Sequence, residues 1–276
     1  VDSKLPRMIR KKKWPKVIKF LKTRSGMAQA KQTDSFGNTA ISVAVTHQAP
    51  IEVIENILLI QPECSLQVDC CGMIPLHLAC QTGASCELIK VLLRQDNGAG
   101  AQAVDMRRKT PLHYSMDYMC NPVKNGYTNG VHGSPENLHN SSLTGSLSMN
   151  GTAESSGTTG SSLSMSADEF QDQLNAIEEI VAAAPRVVLC PDSQGRTPID
   201  ILQDCKASNR HGPKWERADI ICEYLRKVSV QIYMEEKAKH EMLGFNEPRT
   251  SSGSGSGSGS NCTPSATSTN GSSTLS

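Results

Sequence analysis

The side chains best suited to chemistry in this chain are His77, His113 and a scatter of ten cysteines. An imidazole can shuttle protons or ligate zinc, and a thiolate can attack an electrophile or hold a soft metal. Cys64, Cys70, Cys71, Cys80 and Cys86 flank His77 in sequence. Their spacing fits neither paired C-x-x-C frames nor C-x-x-C followed by H-x-x-x-H, so no metal is expected. No nucleophile elbow, phosphate-binding loop, dinucleotide glycine pattern or H-E-x-x-H helix occurs. Gly98-Ala99-Gly100 reads as a turn, not a phosphate cradle. The expectation is a protein that is not an enzyme, with no cofactor and no small-molecule substrate. Cys70-Cys71 falls in a turn, where a plain surface pair is a simpler reading than a redox couple.

Charge is segregated. Residues 1–31 carry eleven Lys or Arg and one acid, a net +10, and the remainder carries 17 basic and 26 acidic residues, a net −9. The run Arg10, Lys11, Lys12, Lys13, followed by Lys16, is a basic patch that could seat nucleic acid or an anionic membrane through residues 4–24. Lys16, Lys19 and Lys22 oppose Trp14, Val17, Ile18 and Leu21, the pattern of a membrane-surface helix or of a cap that rests its apolar side on a larger body. Residues 121–166 and the chain beyond Arg249 are Ser-, Gly- and Thr-rich and nearly uncharged. Such compositions bury too little apolar surface to offset ordering entropy, so both are expected to be disordered. The first residues are charged, with no apolar stretch suited to a secretory signal, and most of the cysteines sit in apolar helical patterns. A reduced compartment, cytoplasm or nucleus, is expected.

The elements that must position these side chains repeat. Asp34-x-x-Gly37-x-Thr39-Ala40-Ile41 opens one copy and Asp69-x-x-Gly72-x-Ile74-Pro75-Leu76-His77 the next, 35 residues on. Asp105-x-x-Arg108-x-Thr110-Pro111-Leu112-His113 follows after 36 residues, and Asp192-x-x-Gly195-x-Thr197-Pro198-Ile199 after 87. The excess in the last interval matches the low-complexity stretch, which therefore enters as a long loop inside the third copy. Thr caps a helix and Pro suits its first turn. A second apolar pattern at helical spacing follows each opening: Val53-Ile54-x-x-Ile57-Leu58, Leu88-Ile89-x-x-Leu92-Leu93, Ala176-Ile177-x-x-Ile180-Val181 and Ile220-Ile221-x-x-Tyr224-Leu225. Ser166-x-x-Glu169 reads as a capping box that restarts helix after the insertion. Each copy is thus a turn and two short helices, too short to stand without stacking.

A unit of about 35 residues with Thr-Pro-Leu-His at its first helix resembles the ankyrin repeat. The resemblance implies an all-α solenoid of stacked helix-turn-helix units over residues 14–245, with a basic segment before it (1–13), an insertion (121–166) and a Ser/Gly/Thr tail (246–276). Lys16 to Lys22 would be a lone second helix capping the stack, with Trp14 at its start, and Trp215 would open the last paired helix in a similar way. The motif histidines would be scaffold residues bonded within and between repeats.

The resemblance also implies a non-catalytic, monomeric scaffold that holds another protein on its turns and first-helix ends. Those positions are Phe36, Asn38 and His47 in the first copy, and Cys70, Cys71 and Met73 in the second. The third offers Met106, Arg107, Lys109 and Tyr118, and the fourth Arg196. The surface would be apolar toward Phe36 and Met73, and basic toward Arg107, Lys109 and Arg196.

Overall fold

The structure, a computed structural model, describes residues 4–120, 165–208 and 214–242. The chain divides into two units, residues 1–235 and 236–276, and of the second only the end of one helix is among the described residues. The described residues form eleven α-helices and no strand, as the all-α expectation requires.

Three helices open the chain: α1 (Lys4–Arg10), α2 (Trp14–Leu21) and α3 (Arg24–Ala30). The pairs α4 (Ala40–Thr46) with α5 (Ile51–Ile60) and α6 (Pro75–Gln81) with α7 (Cys86–Gln95) follow. Next come α8 (Pro111–Cys120) and α9 (Ala167–Ala183), then α10 (Pro198–Ser208) and α11 (Lys214–Met242). The first helices of successive pairs pack on one another, α4 on α6, α6 on α8 and α8 on α10. The second helices do the same, α5 on α7 and α7 on α9. The insertion expected inside the third copy lies where the pattern put it, since α9 returns beside α7 and α8. Residues 121–164 themselves, the tail, and the side chain of Trp215 lie outside the described residues.

Local chemistry explains the helix starts. Thr39 accepts from the Ser42 amide (3.1 Å), and Ser166 accepts from Glu169 (3.1 Å) while Glu169 accepts from the Ser166 amide (2.8 Å). Pro75, Pro111 and Pro198 occupy first helical positions, where no amide donor is needed. Short 3-10 turns, Pro62–Ser65, Ala99–Gln102 and Pro185–Leu189, carry the chain from one pair to the next. Each plugs the core with a small or branched side chain, Cys64, Ala101 or Val188.

The N-terminal reading needs correction. Of the segment expected as a basic arm (1–13), the described residues 4–13 belong to the folded body, and α2 is not a lone cap. Leu5 and Ile9 of α1 are both 0% exposed, and α1 packs on α4 as α2 packs on α5. The reversal between α1 and α2 repeats the later ones bond for bond. Lys12 bonds Ile9 and Lys13 bonds Met8, as Gln48 bonds Val45 and Ala49 bonds Ala44, and as Gly83 bonds Cys80 and Ala84 bonds Ala79. Lys12, Gln48 and Gly83 all sit at left-handed φ (50°, 54° and 62°). The first two helices are therefore a pair with the same reversal as the later ones. Its signal was faint because the two apolar anchors, Leu5 and Ile9, stand among Lys and Arg.

Candidate interaction surface

Four aspartates build the turns. One carboxylate oxygen of each accepts the amides two and four residues on: Phe36 and Asn38 for Asp34 (2.9 and 2.9 Å), and Cys71 and Met73 for Asp69 (2.8 and 2.9 Å). Asp105 holds Arg107 and Lys109 (2.8 and 2.8 Å), and Asp192 holds Gln194 and Arg196 (2.8 and 3.0 Å). The chain then reverses through a left-handed residue, Gly37, Gly72, Arg108 or Gly195. A short acceptor at this spacing satisfies amides that would otherwise be left open in a tight turn. Burial pushes the Asp192 carboxyl up, but the amides of Arg196 and Gln194 and the Arg196 guanidinium outweigh it and hold the group below the usual carboxylate range.

The turns are joined to one another. In each junction the residue just after the aspartate donates its amide to the carbonyl two past the preceding aspartate. These bonds are Cys70 to Phe36 (2.9 Å), Met106 to Cys71 (3.1 Å) and Ser193 to Arg107 (2.8 Å). The last bond shows that the register survives the insertion. Histidines add a second tie. His77 Nδ1 accepts from the Ile74 amide (3.2 Å) and its Nε2 donates to the Lys109 carbonyl (3.1 Å). His113 Nδ1 accepts from Thr110 (3.1 Å from the amide, 2.8 Å from the hydroxyl), and its Nε2 donates to the Arg196 carbonyl (3.2 Å). A carbonyl partner fixes the proton on Nε2, so both rings are neutral, and burial holds both below the ordinary imidazole value. With both nitrogens engaged, neither ring has a lone pair to offer a substrate or a metal.

The departures from the motif now have a reason. Asp200 stands where the histidine would be in the fourth copy and accepts from the Thr197 amide (2.8 Å) and hydroxyl (2.7 Å). It caps its own helix, and Thr197 Oγ1 in turn accepts the Asp200 amide (3.4 Å). Ser42 of the first copy bonds only locally, to Thr39 (2.9 Å). That junction keeps the turn-to-turn bond but has no imidazole tie.

The expected contact residues divide into two groups. Phe36 (39% exposed), Cys70 and Met106 (76% exposed) stand out on the turns. Cys71 and Arg107 are half-buried beside them. The others are engaged internally. Met73 is 7% exposed and belongs to the core. Asn38 donates its side-chain amide to Asp34 (3.0 Å), and His47 bonds the Val43 carbonyl (2.9 Å). Lys109 is bound to Asp117 (2.6 Å) over the Tyr114 ring (5.4 Å). Arg196 is paired with Asp192 (3.1 Å) and Asp204 (3.9 Å). Tyr118 lies over Gly83, where an added Cβ would come within 2.0 Å of its ring.

The basic half of the expected surface is thus largely neutralised by the protein's own acids. Its apolar half is longer than expected, because Val68 and Val104 are exposed one residue before Asp69 and Asp105. The missed signal was alternation. In a hairpin-like turn the residues either side of an inward carboxylate both point outward.

The sulfurs of Cys70 and Cys71 lie 3.9 Å apart. Burial and the neighbouring Asp69 push the Cys71 thiol up to about 11, so it is a poor nucleophile. Cys64 and Cys80 are buried, and each is pushed up to about 12 by burial. Among the described residues no three His, Cys, Asp or Glu side chains are grouped to hold a metal ion, and no helix is long and apolar enough to cross a membrane. No protein-family model matches the chain, and no curated protein matches it.

Proposed function

We propose that the paired helices and Asp turns are ankyrin-type repeats stacked as a solenoid, and that the chain is a non-catalytic scaffold holding another protein along its row of turns. The observation that carries this reading is the row itself. Phe36, Cys70 and Met106 lie on three turns that are hydrogen-bonded in succession, flanked by the exposed Val68 and Val104. Turns fixed by carboxylate-amide bonds lose little further entropy when a partner settles on them, which favours binding by preorganisation. A partner that lays two or three apolar side chains across successive turns, one per repeat, suits this spacing.

The test is capture of partners from the native cell by the full chain and by a Phe36→Ala, Met106→Glu variant with an unchanged circular-dichroism spectrum. Both positions are exposed, so folding should hold. The variant is expected to lose at least tenfold in recovery of specific partners, which corresponds to about 1.4 kcal/mol or more. Equal recovery by the folded variant rejects the turn row as the binding surface.

A further inference from the structure

Residues 4–31 contain eleven Lys or Arg and no acid, a local charge of +11 in a chain of net charge +1. The structure places most of this run on three packed helices. The buried face of α1 carries Leu5 and Ile9, and that of α2 carries Val17 and Leu21. At 100° per residue the opposite faces carry Arg7 on α1 and Lys16 and Lys19 on α2, and the reversal between them exposes Lys11, Lys12 and Lys13. Six exposed cations are thus displayed on two packed helices and the bend that joins them. Arg10, alongside, is bound to Asp34 (3.8 Å) and is not counted.

We propose that this outer end of the N-terminal helix pair is a docking surface for the phosphodiester backbone of a nucleic acid, bound without sequence preference. Three observations favour that occupant. Leu5, Ile9, Val17 and Leu21 are committed to the core and Met8, Trp14, Ile18 and Phe20 pack against it, which leaves no open apolar face to enter a bilayer, as an amphipathic surface helix must. The patch is mostly lysine, and lysine is depleted in protein interfaces, whereas point charges on ordered helices suit phosphate contacts. No large exposed apolar residue stands among the six cations, so the anchor expected of a peptide site is missing there while the charge is in excess. The surface does not depend on the turn row and stands or falls separately from the scaffold reading.

The experiment is fluorescence anisotropy of a labelled 20-base-pair duplex titrated with the full chain from 50 to 200 mM salt. Engagement of about six phosphates gives a slope of log K against log salt of about −5, a loss of roughly a thousandfold across that range. The K11Q/K12Q/K13Q variant should reduce the slope by about 3. It should fold normally, since all three lysines are exposed and Gln48 already occupies the left-handed position that Lys12 holds in its own reversal.

No binding at 50 mM salt overturns the proposal. So does a slope that the triple variant leaves unchanged, or equal or tighter binding to phosphatidylserine vesicles or polyglutamate under the same conditions. A melting temperature matching that of the unsubstituted chain, measured alongside, assigns any loss of binding to the charges.

Discussion

Replacing His77 with leucine should destabilise the fold far more than its lack of any catalytic role suggests. The ring is fully buried, accepts from the Ile74 amide (3.2 Å) and donates to the Lys109 carbonyl (3.1 Å). Leucine keeps most of the volume but removes both partners. The Ile74 amide is then left buried without its acceptor, a cost of about 2 kcal/mol. The Lys109 carbonyl still receives the Asp105 amide (3.1 Å), so its loss is nearer the low end, about 1 kcal/mol. The sum is about 3 kcal/mol, or a fall of roughly 6–12 °C in Tm for a body of this size. Ser42 is the internal control. It occupies the matching position without a bond to the next turn, and Ser42→Ala should cost only about 1 kcal/mol for the lost hydroxyl contact with Thr39.

The same imidazoles set a pH dependence. His47, His77 and His113 all have folded pKa values lowered by burial from the ordinary 6.5. Below pH 6.5 the unfolded chain takes up protons that the folded chain refuses. The stability is therefore fully present above 6.5 and is lost as pH falls through the lowered folded values, by at most ~1.4 kcal/mol per pH unit for each ring. Urea unfolding followed by circular dichroism between pH 7.5 and 5 measures both effects. A His77→Leu cost no greater than that of Ser42→Ala, or an acid slope as steep as before, would rule out this role for the ring.

Two further outcomes follow from the turn and the N-terminal pair. Arg108 has φ 58° where the other three turns have glycine, so Arg108→Gly should relieve a left-handed strain of about 1 kcal/mol, offset in part by glycine's unfolded-state entropy. The net gain of a few tenths of a kcal/mol would appear as a higher urea midpoint, and a lower midpoint would contradict it. Ile9→Ala, in a segment whose sequence reads as a solvated basic arm, should cost ~2–4 kcal/mol because the side chain is 0% exposed. A loss under about 0.5 kcal/mol in the same assay would place α1 outside the cooperative core.

Much of the fold was legible because its rules are local. An aspartate accepts amides two and four residues ahead whatever surrounds it, so Asp34, Asp69, Asp105 and Asp192 marked the turns before any contact was known. Thr39 and Ser166 capped helices for the same reason, and the recurrence of the units placed the insertion between α8 and α9. What was not legible depends on which neighbour an outward position meets. Met73 and Lys109 occupy turn positions that the repeat pattern marks as exposed. One is drawn into the core, and the other is neutralised by Asp117, eight residues on. Leu5 and Ile9 form an apolar pair too sparse to register against a run of lysines, and only their contact with α4 makes them core. Local hydrogen bonding is written in spacing. Burial is decided by the packing of one repeat against the next, and the Lys109–Asp117 pair by how the turn folds back on the helix that follows it.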